Sequence, residues 1–233
     1  MITDIKRYII DFIEGKVNAK EFILQFRDNP QIGDYIQSFV VEGKTFPVSY
    51  IDEEQGTVLT AEVPYNIRVV IKTFCMHYPI NHILTASEYE RKASDLGIQL
   101  NIQHAMAKFI REAFPDEAFT IDPTIDKKFN FLLSATMSYI GGEEANELLT
   151  KVMDEIPQEY SKTKRVKLFR ERIKELFHLE SKKYPRWCQD PEWPFCNGRP
   201  MKFVSQKAIN CETYEFHFVD VETGETKTVV QFY

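Results

Sequence analysis

Residues 184–194 read YPRWCQDPEWP, and this segment holds both tryptophans of the chain, Trp187 and Trp193. Four prolines lie between residues 185 and 200, and each one fixes the backbone dihedral φ at its position. Aromatic side chains on such a stiffened backbone are good anchors, because little conformational entropy remains to be lost when they pack. The pattern predicts a rigid aromatic element that either fills a joint between helix and sheet or faces a partner.

The chain that follows this segment alternates between apolar and polar residues. Residues 201–207 predict one strand, and Tyr214, Phe216 and Phe218 alternate with polar residues in the next. Residues 220–224, DVETG, are typical of a type I turn with a glycine bulge, and residues 226–232 then return as a third strand with Val230 and Phe232 on one face. We therefore expect a small antiparallel sheet at the C-terminus.

The chain before residue 184 is mainly helical in pattern, with one exception. Residues 45–63 alternate on either side of a turn at 52–56, which predicts a β-hairpin. Apolar residues elsewhere recur every three to four positions, which predicts helices over residues 5–12, 18–29, 31–41, 67–74, 85–97, 102–110, 123–140, 148–156 and 161–177. The fold class predicted is α+β, with a mainly helical region over 1–183 and the Trp/Pro segment and antiparallel sheet over 184–233, packed as one unit with the helices.

The charge of the chain is unevenly distributed. A net charge of −6 at pH 7 arises from −9 over residues 1–157, +6 over residues 158–186 and −3 over residues 187–233. An acidic body disfavours nucleic acid as a ligand, because binding to phosphates requires a basic surface. It suits a basic protein partner, and it equally suits a protein that uses its charge for solubility. The basic stretch reads as a helix with a solvated charged face.

The location predicted is the cytoplasm. No apolar run approaches the length of about 18 residues that a membrane-spanning helix needs. The first residues, MITDIKR, reach an acid early and show no signal-peptide pattern. The four cysteines have irregular spacing, which fits reduced thiols better than a disulfide framework.

Motifs for catalysis are not apparent in the sequence, so no catalytic, cofactor-binding or metal-ligating residue is predicted. The alternative considered is a zinc- or thiol-dependent enzyme built on three cysteines and one histidine near the C-terminus. Structural zinc sites usually contain two cysteines two to four residues apart, and that spacing is missing here. Buried free cysteines in an aromatic core are the competing interpretation for the residues concerned, Cys188, Cys196, Cys211 and His217.

The Trp/Pro segment also carries a resemblance. The arrangement W-x-Q, P-x-W-P and P-x-x-F-x-x-Q begins in this segment and ends at Gln206. It resembles that of an uncharacterised bacterial protein family. It is also similar to a motif in toxin immunity proteins of the broad SMI1 and YwqG-like groups. The large helical region departs from the folds of those groups. The residues that carry the motif, as candidates for partner binding or for a structural role, are Trp187, Gln189, Pro191, Trp193, Pro194, Phe203 and Gln206.

The resemblance implies a bacterial protein that binds a partner and performs no chemistry of its own. Immunity proteins neutralise toxins by binding them, so the expected partner is a protein, such as a cognate toxin domain. A structural or adaptor protein, for example a homodimer formed through an exposed aromatic patch, remains a further alternative. The oligomeric state does not follow from the sequence.

Overall fold

The computed structural model describes residues 2, 4–38, 40–52, 57–66, 93 and 95–233. The chain divides into two compact units, Met1–Asp126 and Lys127–Tyr233. Helices and short antiparallel sheets are segregated along the chain, which confirms the predicted α+β class. In chain order the elements are α1 (Ile5–Ile13), α2 (Ala19–Asp28), α3 (Pro30–Ser38), β1 (Val40–Asp52), β2 (Thr57–Asn66), α4 (Leu96–Ala113), α5 (Thr124–Ala135), α6 (Glu143–Glu155), α7 (Lys162–Leu176), β3 (Phe195–Cys196), β4 (Arg199–Pro200), β5 (Lys202–Ala208), β6 (Thr213–Val219) and β7 (Thr226–Phe232).

Helices of the first unit begin where the sequence supplies capping side chains. Asp4 accepts a hydrogen bond from the backbone N–H of Arg7 at the start of α1. Asn18 accepts hydrogen bonds from the backbone N–H groups of Lys20 and Glu21 at the start of α2. Each cap satisfies N–H groups that have no partner inside the helix, so it fixes the start of that helix.

The core of the first unit is aliphatic and aromatic. Phe12 of α1 and Phe22 of α2 stack with ring centroids 4.1 Å apart, and both are fully buried. Gln103 of α4 is also buried, and its Nε2 donates to the carbonyl oxygens of Ile13 and Asp122, at 3.1 Å each. One buried amide therefore holds the end of α1 and the segment before α5 against α4.

The hairpin predicted over residues 45–63 is confirmed. Strands β1 and β2 pair in antiparallel register from Thr45 opposite Pro64 to Asp52 opposite Thr57, with a register irregularity between Val40 and Thr45. The third helix was expected to extend to residue 41, but it ends at Ser38, and Val40 already belongs to β1. Consecutive β-branched residues at positions 40 and 41 favour extended backbone, which explains the earlier end. The helix predicted over 67–74, and nearly all of that predicted over 85–97, lie outside the described residues.

The second unit combines helices α5 to α7 with the C-terminal strands. Phe131 of α5 and Phe169 of α7 meet edge to face, with centroids 5.7 Å apart. Helix α5 was expected to reach residue 140 and ends instead at Ala135. Its last carbonyl groups are capped by Arg170 of α7, whose Nε and Nη2 donate to the oxygens of Ala135 and Ser134 at 3.0 and 3.3 Å. A guanidinium at this position satisfies carbonyls that a longer helix would have bonded internally.

The three strands predicted after residue 200 are confirmed. The sheet has the order β5-β6-β7, antiparallel throughout, and a separate two-stranded ribbon is formed by β3 and β4. Gly224, in the turn between β6 and β7, has φ of +73°, as the predicted glycine bulge requires. The boundary predicted near residue 183 lies inside the second unit. None of the described helices is both long enough and apolar enough to cross a membrane.

Two glycines of the first unit should respond in opposite ways to a methyl group. Gly15 has φ of +76°, and a Cβ there would lie 2.5 Å from a carboxylate oxygen of Asp122. We expect Gly15→Ala to reduce the free energy of unfolding by about 1–3 kcal/mol. Gly33 lies within α3 with nothing within 4 Å of the added atom, so Gly33→Ala should be neutral or stabilising by up to about 1 kcal/mol. Urea unfolding followed by circular dichroism measures both, and equal losses would contradict the assignment.

Candidate functional site

The Trp/Pro segment, defined here as residues 184–194, lies between α7 and the ribbon β3–β4 and has no regular secondary structure beyond a bend at residues 188–190. Trp193 is 4% exposed, and Trp187 is half-buried. A segment of this kind must find partners for its buried backbone groups outside the usual ladders of helix and sheet. The contacts of the two indoles and of two glutamines show how it does so.

Trp193 is fixed on three sides. Its indole Nε1 donates to the carbonyl oxygen of Met201 at 2.8 Å, and its backbone N–H donates to the carbonyl oxygen of Gly141 at 3.0 Å. Its ring meets Phe177 at the end of α7 and Phe218 of β6 edge to face, at centroid distances of 5.2 and 5.4 Å. Trp193 therefore fills the joint between the last helix and the sheet, which is one of the two roles predicted for it.

The glycine pair that follows α5 makes room for this contact. A Cβ on Gly141 would lie 3.0 Å from the Cβ of Pro191, and Gly142 has φ of +104°. In the sequence the pair reads as the end of one helix and the start of the next. In the structure it also allows Pro191 and Trp193 to approach the backbone closely.

Trp187 packs on the inner face of the sheet. Its ring lies 4.5 Å from that of Phe216 and 5.9 Å from that of Phe218, measured between centroids. Its Nε1 donates to the carbonyl oxygen of Tyr139 at 2.8 Å, and the ring of Tyr139 stacks on that of Tyr184 at 4.5 Å. The second indole thus ties the sheet to the loop that follows α5.

Two glutamines on the inner face of the sheet complete the attachment. Gln231 of β7 is 2% exposed; its Oε1 accepts the backbone N–H groups of Cys188 and Gln189 at 3.0 and 3.1 Å. Its Nε2 donates to the carbonyl oxygen of Asp190 at 2.9 Å. Gln206 of β5 accepts the backbone N–H of Arg186 at 2.8 Å. Gln231 was missed as a key residue by sequence reasoning, although a polar residue at an inward position of an alternating strand was a usable signal.

The remaining motif residues have structural environments as well. Pro194 and Phe203 are buried, and the ring of Phe203 lies 5.5 Å from that of Phe218. Pro191 is half-buried, and only Gln189 has an exposed side chain. The structure therefore brings all seven predicted motif residues to one region, where most of them hold the segment to the sheet and helices.

The four residues of the zinc or thiol alternative are not brought together. Among the described residues, no group of three or more His, Cys, Asp or Glu side chains is placed to hold a metal ion. Cys196 is buried with its Sγ 3.3 Å from a carboxylate oxygen of Glu225, and burial, followed by that carboxylate, raises the pKa of the thiol. Cys188 is half-buried and Cys211 exposed. The Nδ1 of His217 lies 3.2 Å from the hydroxyl of Thr228.

The surface of the second unit carries several exposed apolar side chains. Near the chain end Val230 is 43% exposed, Phe232 56% and Tyr233 79%. Val230 and Phe232 lie on one face of the sheet, as predicted from their spacing, and the structure shows that it is the outer face.

Some cations of the basic helix α7 have partners within the second unit. Lys164 lies over the ring of Tyr160 at 3.4 Å, and Arg170 caps α5.

The division into two units also divides the charge. Residues 1–126 contain 12 Lys+Arg and 19 Asp+Glu, a balance of −7. Residues 127–233 contain 17 and 16, a balance of +1. The acidity of the chain therefore belongs to the first unit.

Comparisons with protein-family models, with curated proteins and with solved structures each found no match. The resemblance of the Trp/Pro segment to immunity proteins therefore stays a prediction from the sequence.

Replacement of Gln231 should weaken the second unit more than replacement of Gln206. Gln231→Met keeps the volume but leaves two backbone N–H groups and one carbonyl of the Trp/Pro segment without their partner. We expect a loss of about 2–4 kcal/mol in the free energy of unfolding. Gln206→Met removes a single hydrogen bond at an exposed N–H and should cost less than about 1.5 kcal/mol. Urea unfolding measures both variants, and a loss from Gln231→Met no larger than that from Gln206→Met would contradict the role assigned to Gln231.

Proposed function

We propose that the protein is a non-enzymatic bacterial binding protein, and specifically an immunity protein that neutralises a toxin domain by occluding it. The proposal joins two independent supports. One is the motif resemblance of the Trp/Pro segment, and the other is the distribution of charge between the two units.

The charge distribution carries the proposal. A balance of −7 confined to residues 1–126, against +1 for the rest, concentrates the negative field on one part of the molecule. Complementary fields accelerate encounter with an oppositely charged partner and disfavour wrong partners. Toxin domains that act on nucleic acid or on anionic surfaces need a basic substrate groove, and an acidic unit is complementary to such a groove.

The second unit is held rigid by its own contacts, because buried indole and amide side chains fix the Trp/Pro segment against the sheet. The binding surface proposed here belongs to the acidic first unit. In this proposal neutralisation is steric and electrostatic: the acidic unit covers the groove of the toxin, and the protein makes and breaks no covalent bond.

A charge-reversal pair tests the proposal together with a matched control. Asp34 and Asp116 are exposed residues of the first unit. The double variant Asp34→Lys/Asp116→Lys moves the balance of that unit by four charges. We expect association with a cognate toxin domain to slow by about 3- to 30-fold at low salt. The control variant, Glu159→Lys/Glu212→Lys, changes two exposed acids of the second unit by the same amount and should leave the association rate nearly unchanged.

Two measurements decide the outcome. Growth of cells that co-express the toxin domain should be rescued by the wild-type protein, and surface plasmon resonance over a salt series should give association rates that fall as salt rises. A purified pair that does not associate would remove the proposal. Equal slowing by both double variants would remove the acidic unit as the binding surface.

A further inference from the structure

Strand β7 forms one edge of the C-terminal sheet, and every second residue of it directs its backbone groups away from the sheet. In the order β5-β6-β7, β7 lies at one edge, and no other described strand pairs with it. The backbone N–H of Tyr233 donates to the carbonyl oxygen of Glu212 at 2.8 Å, in the same register as the β6–β7 pairs. Antiparallel strands alternate which residues face the neighbour, so odd-numbered residues of β7 bond to β6. The N–H and C=O groups that point away from the sheet belong to Thr226, Thr228, Val230 and Phe232.

The edge at β5 carries features that discourage pairing with another chain. Its register shifts at a bulge between Phe203 and Ser205, and Lys202 and Lys207 lie along it. Bulges and lysines are the usual means by which proteins protect an edge strand.

The edge at β7 is less protected, since it has no bulge and only one lysine, Lys227. It pairs with β6 over seven residues without a register shift, from Val219 opposite Thr226 to Thr213 opposite Phe232. The strand reads TKTVVQF, with one charged residue and no proline. On the outer face of the sheet, the side chain of Val230 is 43% exposed and that of Phe232 is 56% exposed. An edge of this composition is a template for another strand.

The strand is also fixed in place. Gln231 holds its inner face through three hydrogen bonds to the Trp/Pro segment. At its start, Oδ1 of the buried Asp220 accepts the backbone N–H groups of Glu222 and Thr223 at 3.1 and 2.7 Å, which orders the β6–β7 turn. A strand ordered in this way loses little entropy when a second strand pairs with it.

We propose that β7 pairs with β7 of a second copy of this chain, antiparallel and about a two-fold axis at Val229, so that two three-stranded sheets become one sheet of six strands. This register places Thr226 opposite Phe232 and Thr228 opposite Val230. The backbone N–H and C=O groups of all four residues that point away from β6 are then paired in each strand, which gives about eight backbone hydrogen bonds.

The strand is self-complementary in this register, which favours a second copy as the occupant. The same symmetric pairing uses the edge-facing backbone groups of both strands, and it places Lys227, the one charge in the strand, opposite Gln231, so no like charges meet. Like charges directly opposite each other would destabilise the pair, and this register avoids them. The inference is independent of the proposed function, because it concerns the protein alone.

A proline substitution can remove pairing at the edge without removing a hydrogen bond inside the sheet. Val230→Pro removes an N–H that points away from β6, and proline is tolerated at such edge positions. The matched control is Ala208→Pro at the other edge, where the N–H of Ala208 also points outward because its neighbour Ile209 bonds to Thr213. Sedimentation equilibrium should show a dimer for the wild type and for Ala208→Pro, and a monomer for Val230→Pro. A wild type that stays monomeric up to about 1 mM, or a Val230→Pro variant that still forms the dimer, would overturn the inference.

Amide hydrogen exchange tests the same contact without a variant, and it decides if Val230→Pro does not fold. The amides of Lys227, Val229 and Gln231 should be protected at every protein concentration, since they bond to β6. Those of Thr226, Thr228, Val230 and Phe232 should exchange quickly in dilute protein and become protected as the dimer forms. A dimer in which these four amides stay unprotected would overturn the inference. The variant Asp34→Lys/Asp116→Lys should dimerise normally, which keeps this test separate from that of toxin binding.

Discussion

The architecture of the second unit depends on the pairing of backbone groups in a segment that has no ladder of its own. Residues 184–194 run between helix and sheet, and their backbone partners are two glutamine side chains, the carbonyl of Gly141 and the N–H of Met201. A buried N–H or C=O without a partner costs as much as a lost hydrogen bond or more, so these few contacts determine where the segment can lie. The position of Trp193 follows from them, and the inner face of the sheet is built around the two indoles.

The elements that the sequence predicted well are those with a single buried face. Periodicity located α1, α2, α6 and α7, and alternation located β5, β6 and β7, because burial of one face repeats with the geometry of the element. Ends were less accurate. Helix α5 stops at Ala135 because Arg170, 35 residues later in the chain, caps its carbonyl groups. Nothing in the local sequence around Ala135 indicates that contact.

The role of the Trp/Pro segment was predictable only in part. Its rigidity and its place between helix and sheet follow from the prolines and tryptophans themselves. Its partners do not, since Tyr139 lies 48 residues before Trp187 and Gln231 lies 43 residues after Cys188. The zinc alternative depended on the same kind of distant contact, and the structure does not bring Cys188, Cys196 and Cys211 together with His217. The segment leaves the outer face of the sheet and the β7 edge accessible. This surface is available for interactions.

Both indoles of the chain belong to residues 127–233, and the first unit has none. Tryptophan fluorescence, excited at wavelengths that tyrosine does not absorb, therefore reports on one half of the molecule alone. Trp193 lies among phenylalanine rings and away from solvent, so its emission maximum in the native state is at a shorter wavelength than that of an exposed tryptophan. Loosening of the Trp/Pro segment shifts this maximum to longer wavelength. The first unit contributes only tyrosine and phenylalanine signals. The protein thus carries its own spectroscopic label, by which melting of the sheet can be distinguished from melting of the N-terminal helices in a single sample.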